Sequence, residues 1–190
     1  TPDANNLDSV EKELVREDFF FDLVLYLLVP FHLFVIYSFL VNISTPGLAV
    51  SDIIAKVLMM GTILGVNGIN VGHELGHKTN QPFKLFLAHL MLTTSIQNHF
   101  MPYHNGGHHK DVGTPEDFTS AKQGDNFYFF ALRSQIGGYF KTWKLESKKL
   151  KAMGKNPKWN PMIIYTILPI LLFTGIFSFF DLYTMICYFA

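Results

Sequence analysis

Two short histidine-rich boxes carry the residues most able to do chemistry. The first reads H-E-L-G-H-K at 73–78 and the second H-N-G-G-H-H at 104–109; together they hold five of the chain's eight histidines. His73 and His77 are four apart, so on a helix they share one face and can chelate one ion. His104 and His108 repeat that spacing, and His109 adds an imidazole rotated about 100° around the axis. Imidazole suits iron, copper and zinc. If both segments are helical, five neutral nitrogen ligands converge. That is more than one tetrahedral zinc takes and too few to close a site for two ions, so further ligands must come from elsewhere. H-E-x-x-H by itself is the zinc-protease signature, with Glu74 as general base. A lone histidine is more often a packed residue than a ligand. Two i, i+4 pairs so close together, the second extended by a third His, favour metal binding over chance.

The elements that position these boxes are apolar. Of 190 residues 49% are hydrophobic, 19 are Phe, and the mean hydropathy is +0.22. The apolar residues fall in long runs, as in membrane proteins. The zero net charge gives no basic surface for nucleic acid. One cysteine, Cys187, excludes an intrachain disulfide framework. No secretory signal is visible. The chain starts at Thr1 and stops inside an apolar run at Ala190, which suggests a fragment of a longer polypeptide.

Residues 1–20 are polar, with a helical signal in S-V-E-K-E-L at 9–14. Residues 19–43 are long and apolar enough to span a bilayer, with Pro30 expected to kink the helix and His32 to be mainly structural. S-T-P-G at 44–47 reads as a tight turn. Residues 48–72 form the second span and carry His73 and His77 out of the membrane. Gly61, Gly65, Gly68, Gly72 and Gly76 line one face of it, favouring close helix packing over a channel wall. Asn67 and Asn70 call for interior partners.

Residues 83–101 resemble a third span, but a full crossing of about 30 Å would put the two boxes on opposite faces. An interfacial or re-entrant helix returning to the same side is therefore expected. His89 there reads as structural, and His99 as a candidate to orient a ligand histidine. Residues 110–160 are polar, and T-P-E-D at 114–117 reads as a helix start with Thr114 as N-cap, Pro115 at N1 and Asp117 at N3. The same region holds ten of the fifteen Lys and Arg, seven of them lysines between 141 and 158. By the positive-inside rule it is cytoplasmic, and the boxes with it. The lysines could meet anionic membrane lipids or an acidic redox partner. Residues 161–180 form another span with Pro169 inside, 181–184 a turn, and 185–190 the start of a further apolar element. The fold class expected is all-α: an integral membrane helical bundle with an interfacial helix and a cytoplasmic histidine-box region.

H-E-L-G-H-K, followed by H-F-M-P-Y-H-N-G-G-H-H-K-D-V-G-T-P-E-D-F-T-S-A-K-Q-G-D-N-F-Y at 99–128, resembles the membrane alkane 1-monooxygenases (alkane ω-hydroxylases) of the wider fatty-acid desaturase and hydroxylase group. The likeness runs from about residue 20 to the end. It implies that 1–190 is part of such a membrane domain, with two non-haem iron ions held by His73, His77, His104, His108 and His109, and Glu74 orienting a ligand imidazole. It implies O2 as co-substrate, an n-alkane or other apolar chain as substrate, and electrons from NAD(P)H through a reductase and a rubredoxin. It implies a multi-pass protein of the bacterial inner membrane with its boxes on the cytoplasmic side. Binding would be mostly burial of methylenes, about 0.8 kcal/mol each, so length selection must be steric; the glycine-lined face of 48–72 is where it is expected. Two departures stand out. Where the family has Glu before the second box this chain has Tyr103, which loses a carboxylate able to hydrogen-bond a ligand histidine, and the family's third box would lie beyond Ala190. A related lipid desaturase or aromatic-methyl hydroxylase is the alternative, and an intramembrane H-E-x-x-H zinc protease a remote one.

Overall fold

The computed structural model describes residues 19–77 and 80–190; the helical signal at 9–14 and Lys78 of the first box lie outside them. Among the described residues every regular element is a helix, as hydrocarbon demands, because only a helix satisfies its own backbone there without a closed barrel. Helix α1 (Phe19–Ile43) runs through Pro30. The turn expected at 44–47 follows, with Gly47 at φ +80°, a conformation that favours glycine. Helix α2 (Val50–Gly76) is 27 residues long and contains a π-helical stretch, Leu64–Ile69. Then come α3 (Pro82–Thr94), the short α4 (Phe100–Tyr103), a π-helical turn over His104–His108 and α5 (His109–Asp111). Helices α6 (Phe127–Ala152), α7 (Met162–Phe179) and α8 (Leu182–Phe189) complete the chain. Among the described residues three helical stretches are long and apolar enough to cross a membrane: α1, α2 and Pro157–Phe179, which contains α7. The turn expected at 181–184 is instead the start of α8: Asp181 caps it, its carboxylate accepting from Thr184 N at 2.6 Å.

The interfacial or re-entrant helix expected over 83–101 is shorter, Pro82–Thr94, and the chain turns back after it. At 13 residues α3 rises only about 20 Å, too short for a hydrocarbon core of about 30 Å. It packs Leu87, Ala88 and Met91 against Val71 and Leu75 of α2. Its far end is pinned deep in the bundle. His32 Nε2 meets Thr94 Oγ1 at 2.9 Å, Ser95 Oγ donates to Leu64 O at 2.9 Å, and Tyr188 Oη donates to Thr94 O at 2.7 Å. The chain then reverses through Ile96, at φ +59°, an unusual angle for a β-branched residue. Lys84 is buried on α3 and forms an ion pair with Asp22 of α1. Without that partner a charge at such a position would be costly.

The glycine face of α2 divides in two. A Cβ on Gly68 would lie 2.0 Å from Ser95 Oγ, one on Gly72 2.9 Å from Leu92 Cγ, and one on Gly76 2.7 Å from Met101 Cε. These three glycines let α3 and α4 approach the backbone. Gly61 and Gly65 meet nothing within 4 Å and border a cavity of ≈ 240 Å³ shared with Thr94, Ile96 and Tyr188. Asn70 lies on the exposed side of α2 and not in the interior position its place in an apolar helix suggested.

Candidate metal centre

The re-entrant path brings the second box back beside the end of α2. His73 Nε2 lies 2.8 Å from His77 Nε2 and 2.8 Å from His104 Nε2, and His104 Nε2 lies 2.9 Å from His109 Nε2. His73, His77 and His104 have ligand atoms all within 4.8 Å of one another. This is not a satisfiable hydrogen-bond network. A neutral imidazole nitrogen offers either one proton or one lone pair in the ring plane, yet the Nε2 atoms of His73 and His104 each face two others. A cation among them turns the competing lone pairs of His73, His77 and His104 into ligands, with His109 beside His104 at the edge of the cluster. The donor set therefore fits a metal that accepts imidazole.

The pairing within the second box differs from the i, i+4 expectation. His104 and His109, five apart, meet at the cluster, whereas His108 stacks on His104 with ring centroids 5.4 Å apart. The cause is the π winding of His104–His108, whose i→i+5 repeat aligns residues five apart. Gly107 permits it, since a Cβ there would stand 3.1 Å from both Leu145 and the Tyr103 ring.

His108 turns Nδ1 away from the other imidazoles, to Asp117 Oδ2 at 2.8 Å and Thr119 Oγ1 at 2.9 Å. Asp117 is buried and takes four further hydrogen bonds. Oδ1 accepts from Tyr103 Oη at 2.7 Å, Thr119 Oγ1 at 2.7 Å and Thr119 N at 3.1 Å, and Oδ2 accepts from Ser120 Oγ at 2.6 Å. Burial alone would raise its pKa, but the hydrogen bonds from Ser120, Thr119 and Tyr103 outweigh it and hold the carboxyl well below the usual range. Burial, then the bond to Asp117, push the Tyr103 hydroxyl up to about 12, so it stays a donor. Burial, reinforced by His73, His109, His77 and His108, lowers His104 to about 4, leaving it a neutral donor at physiological pH.

T-P-E-D is thus not a helix start. Residues 112–126 run as turns and bends, and Asp117 spends its oxygens on the site and on Thr119 and Ser120. This loop is held against α6. Phe118 packs on Gly137, where a Cβ would lie 2.3 Å from its ring. Ser134 Oγ donates to Phe118 O at 2.8 Å, and Lys141 pairs with Asp111 at 2.7 Å. Asp117 and Thr119 are the site residues that sequence reasoning did not place there. The signal was present in the T-P-E-D run, but a helix start is the reading its local pattern favours over a functional carboxylate.

The other titratable residues fall elsewhere. Glu74 is exposed, and among the described residues no hydrogen bond joins it to a box imidazole. His99 sets its ring edge-on to Tyr139 at 5.6 Å and touches no box imidazole among the described residues. His89 stacks on Tyr165 at 4.8 Å, and His32 anchors α3, both in structural roles.

A fatty acid desaturase family model matches residues 51–190, which include both boxes and the Asp117 loop. The chain belongs to that family. This desaturase-family chain is also similar to alkane 1-monooxygenase 1 of Alcanivorax borkumensis, at 33% identity over 180 residues, 93% of this chain and 44% of that protein. It is 32% identical over 176 residues to alkane 1-monooxygenase of Pseudomonas putida, covering 90% and 43% of the two chains. With the enzyme of that name from Ectopseudomonas oleovorans it shares 31% over 172 residues, 87% and 42%. The chain spans less than half the length of these relatives.

Proposed function

We propose that this chain is the part of a membrane alkane 1-monooxygenase that carries its first two histidine boxes, and that the protein hydroxylates the terminal carbon of an n-alkane. The observation that carries the reading is the convergence of His73, His77 and His104, with His109 beside His104, reached because α3 turns back on α2. The relatives named for that activity support it. Two iron ions fit the donor set, with His108 as a fifth imidazole; five nitrogens do not saturate two ions, so other ligands come from elsewhere in the protein. Iron, when bound, supplies the reduction of O2 that an unactivated C–H bond requires and that zinc cannot supply. The balance is R–CH3 + O2 + two electrons + two protons giving R–CH2OH + H2O. The chain's own residues hold and orient the imidazoles.

The electrons come from NAD(P)H through a reductase and a rubredoxin docking on the aqueous side. The seven lysines between 141 and 158 suit an acidic partner and make this side cytoplasmic in a bacterial inner membrane. A zinc protease uses Glu74 as base and leaves the second box without purpose, yet that box supplies half of the converging nitrogens. Anaerobic iron analysis of the full-length protein, then product analysis with an n-alkane, O2, rubredoxin and its reductase, tests the reading. A primary alcohol with about two irons per chain supports it. An alkene from an acyl substrate points to a desaturase, and one zinc with peptidase activity overturns it.

A further inference from the structure

We infer that Asp117 is the positioning residue for His108, fixing that ring with its proton on Nδ1 so that Nε2 is left as its one lone-pair nitrogen, and that Tyr103 holds Asp117 for this task. The inference rests on the metal-centre reading above and adds to it the residue that sets one ligand's tautomer.

Proton accounting at the carboxylate leads there. Four groups donate to Asp117, namely Tyr103 Oη, Thr119 N, Thr119 Oγ1 and Ser120 Oγ, and the fifth contact is His108 Nδ1. An ionised carboxylate only accepts. The hydroxyl proton of Thr119 is used on Asp117 Oδ1, so its oxygen can only accept from His108. Both partners of His108 Nδ1 are therefore acceptors, and the proton on that contact belongs to the imidazole. Nε2 is then unprotonated in the neutral ring, the form a metal takes.

The charge needs the same explanation. Asp117 is 3% exposed, and among the described residues the one ion-pair partner it has is His108. Lys141 sits over the Tyr103 ring and pairs with Asp111 instead. A buried carboxylate with no fixed cation is expensive. Four neutral donors make it tolerable, and its field is directed through His108 at whatever cation that imidazole holds. Asparagine would fill the space more cheaply if shape alone were needed. Tyr103 completes the arrangement, because its hydroxyl bonds both Asp117 Oδ1 and Phe118 N, the latter at 3.0 Å. At the position just before the box it supplies a donor that braces one carboxylate.

The experiment uses full-length protein in nanodiscs, stripped of metal and titrated anaerobically with Fe(II), with bound iron and its Mössbauer spectrum as readouts. Asp117→Asn should weaken binding at one of the two iron sites roughly 10- to 100-fold and change that site's quadrupole splitting. In a His108→Ala background it should add nothing. Tyr103→Phe should give a smaller loss in the same direction. Independently, 15N-histidine NMR of metal-free wild-type protein should show His108 with Nδ1 protonated, its signals identified by their loss in His108→Ala. That measurement decides the matter even if Asp117→Asn fails to fold. Unchanged iron affinity and spectrum in Asp117→Asn, additivity with His108→Ala, or a bare Nδ1 overturns the role of Asp117. Wild-type protein that binds no iron overturns the metal-centre reading itself.

Discussion

Placing one methyl group at two glycines of the same helix should have opposite effects. In Gly72→Ala the new Cβ would stand 2.9 Å from Leu92 Cγ, 3.2 Å from Leu92 Cδ2 and 3.3 Å from Ala88 O. Carbon atoms pack comfortably at about 3.5–4.0 Å, so Leu92 must retreat by roughly 0.6 Å or more. Leu92 is fully buried and the atom struck is its branch point, which no rotamer change at the tip removes. The whole of α3 must shift, and overpacking of this kind costs about 1–3 kcal/mol. Better helix propensity returns about 0.5–1 kcal/mol, leaving a net loss of roughly 0.5–2 kcal/mol. In Gly61→Ala nothing lies within 4 Å, and only the gain of about 0.5–1 kcal/mol remains. The two variants should therefore differ by about 1–3 kcal/mol. Unfolding of the full-length protein in graded mixed micelles, followed by circular dichroism, measures it. Equal stability of the two variants, or the reverse order, would refute the assignment of Gly72 as the seat of α3.

Removing one member of the buried Asp22–Lys84 pair, as in Lys84→Met, should cost about 3–5 kcal/mol, while Asp22→Leu/Lys84→Met together should cost less than the single change; the same unfolding assay reads both. His104→Ala removes the nitrogen standing between His73 and His109, so bound iron should fall and alkane turnover should vanish; retained turnover counts against the centre. Gly65→Phe should fill much of the cavity beside Gly61 and shift products of an n-alkane mixture toward shorter alcohols. An unchanged distribution places length selection elsewhere.

The spans, the turn at Gly47 and the return of the second box to the first were legible because they follow from hydrophobic length and from one distance argument. The five imidazoles were legible because i, i+4 spacing is a property of sequence. Their angular roles were not. The π winding that swaps His109 for His108 at the focus depends on Gly107 admitting the Tyr103 ring and Leu145, contacts far apart in sequence. Asp117 escaped for a different reason. T-P-E-D satisfies the local rules for a helix start, and only the tertiary placement of Tyr103 and His108 makes a better offer to its oxygens than a helix N-terminus does. The burial of Lys84 was not legible, because its partner Asp22 lies 62 residues away.

One constraint accounts for most of the polar groups within the bundle. Two boxes on a single side of the membrane, joined through a helix too short to cross it, require that segment to turn back. A backbone reversal inside hydrocarbon exposes groups that no helix satisfies. Ser95 occupies Leu64 O, Tyr188 occupies Thr94 O, and His32 takes the Thr94 hydroxyl. Gly68 leaves room for Ser95 to do so, since any side chain there would displace its hydroxyl. The left-handed angle at Ile96 is the residual strain of the same reversal. These residues lie outside the boxes, yet their arrangement has one rationale, which is to set His104 beside His73.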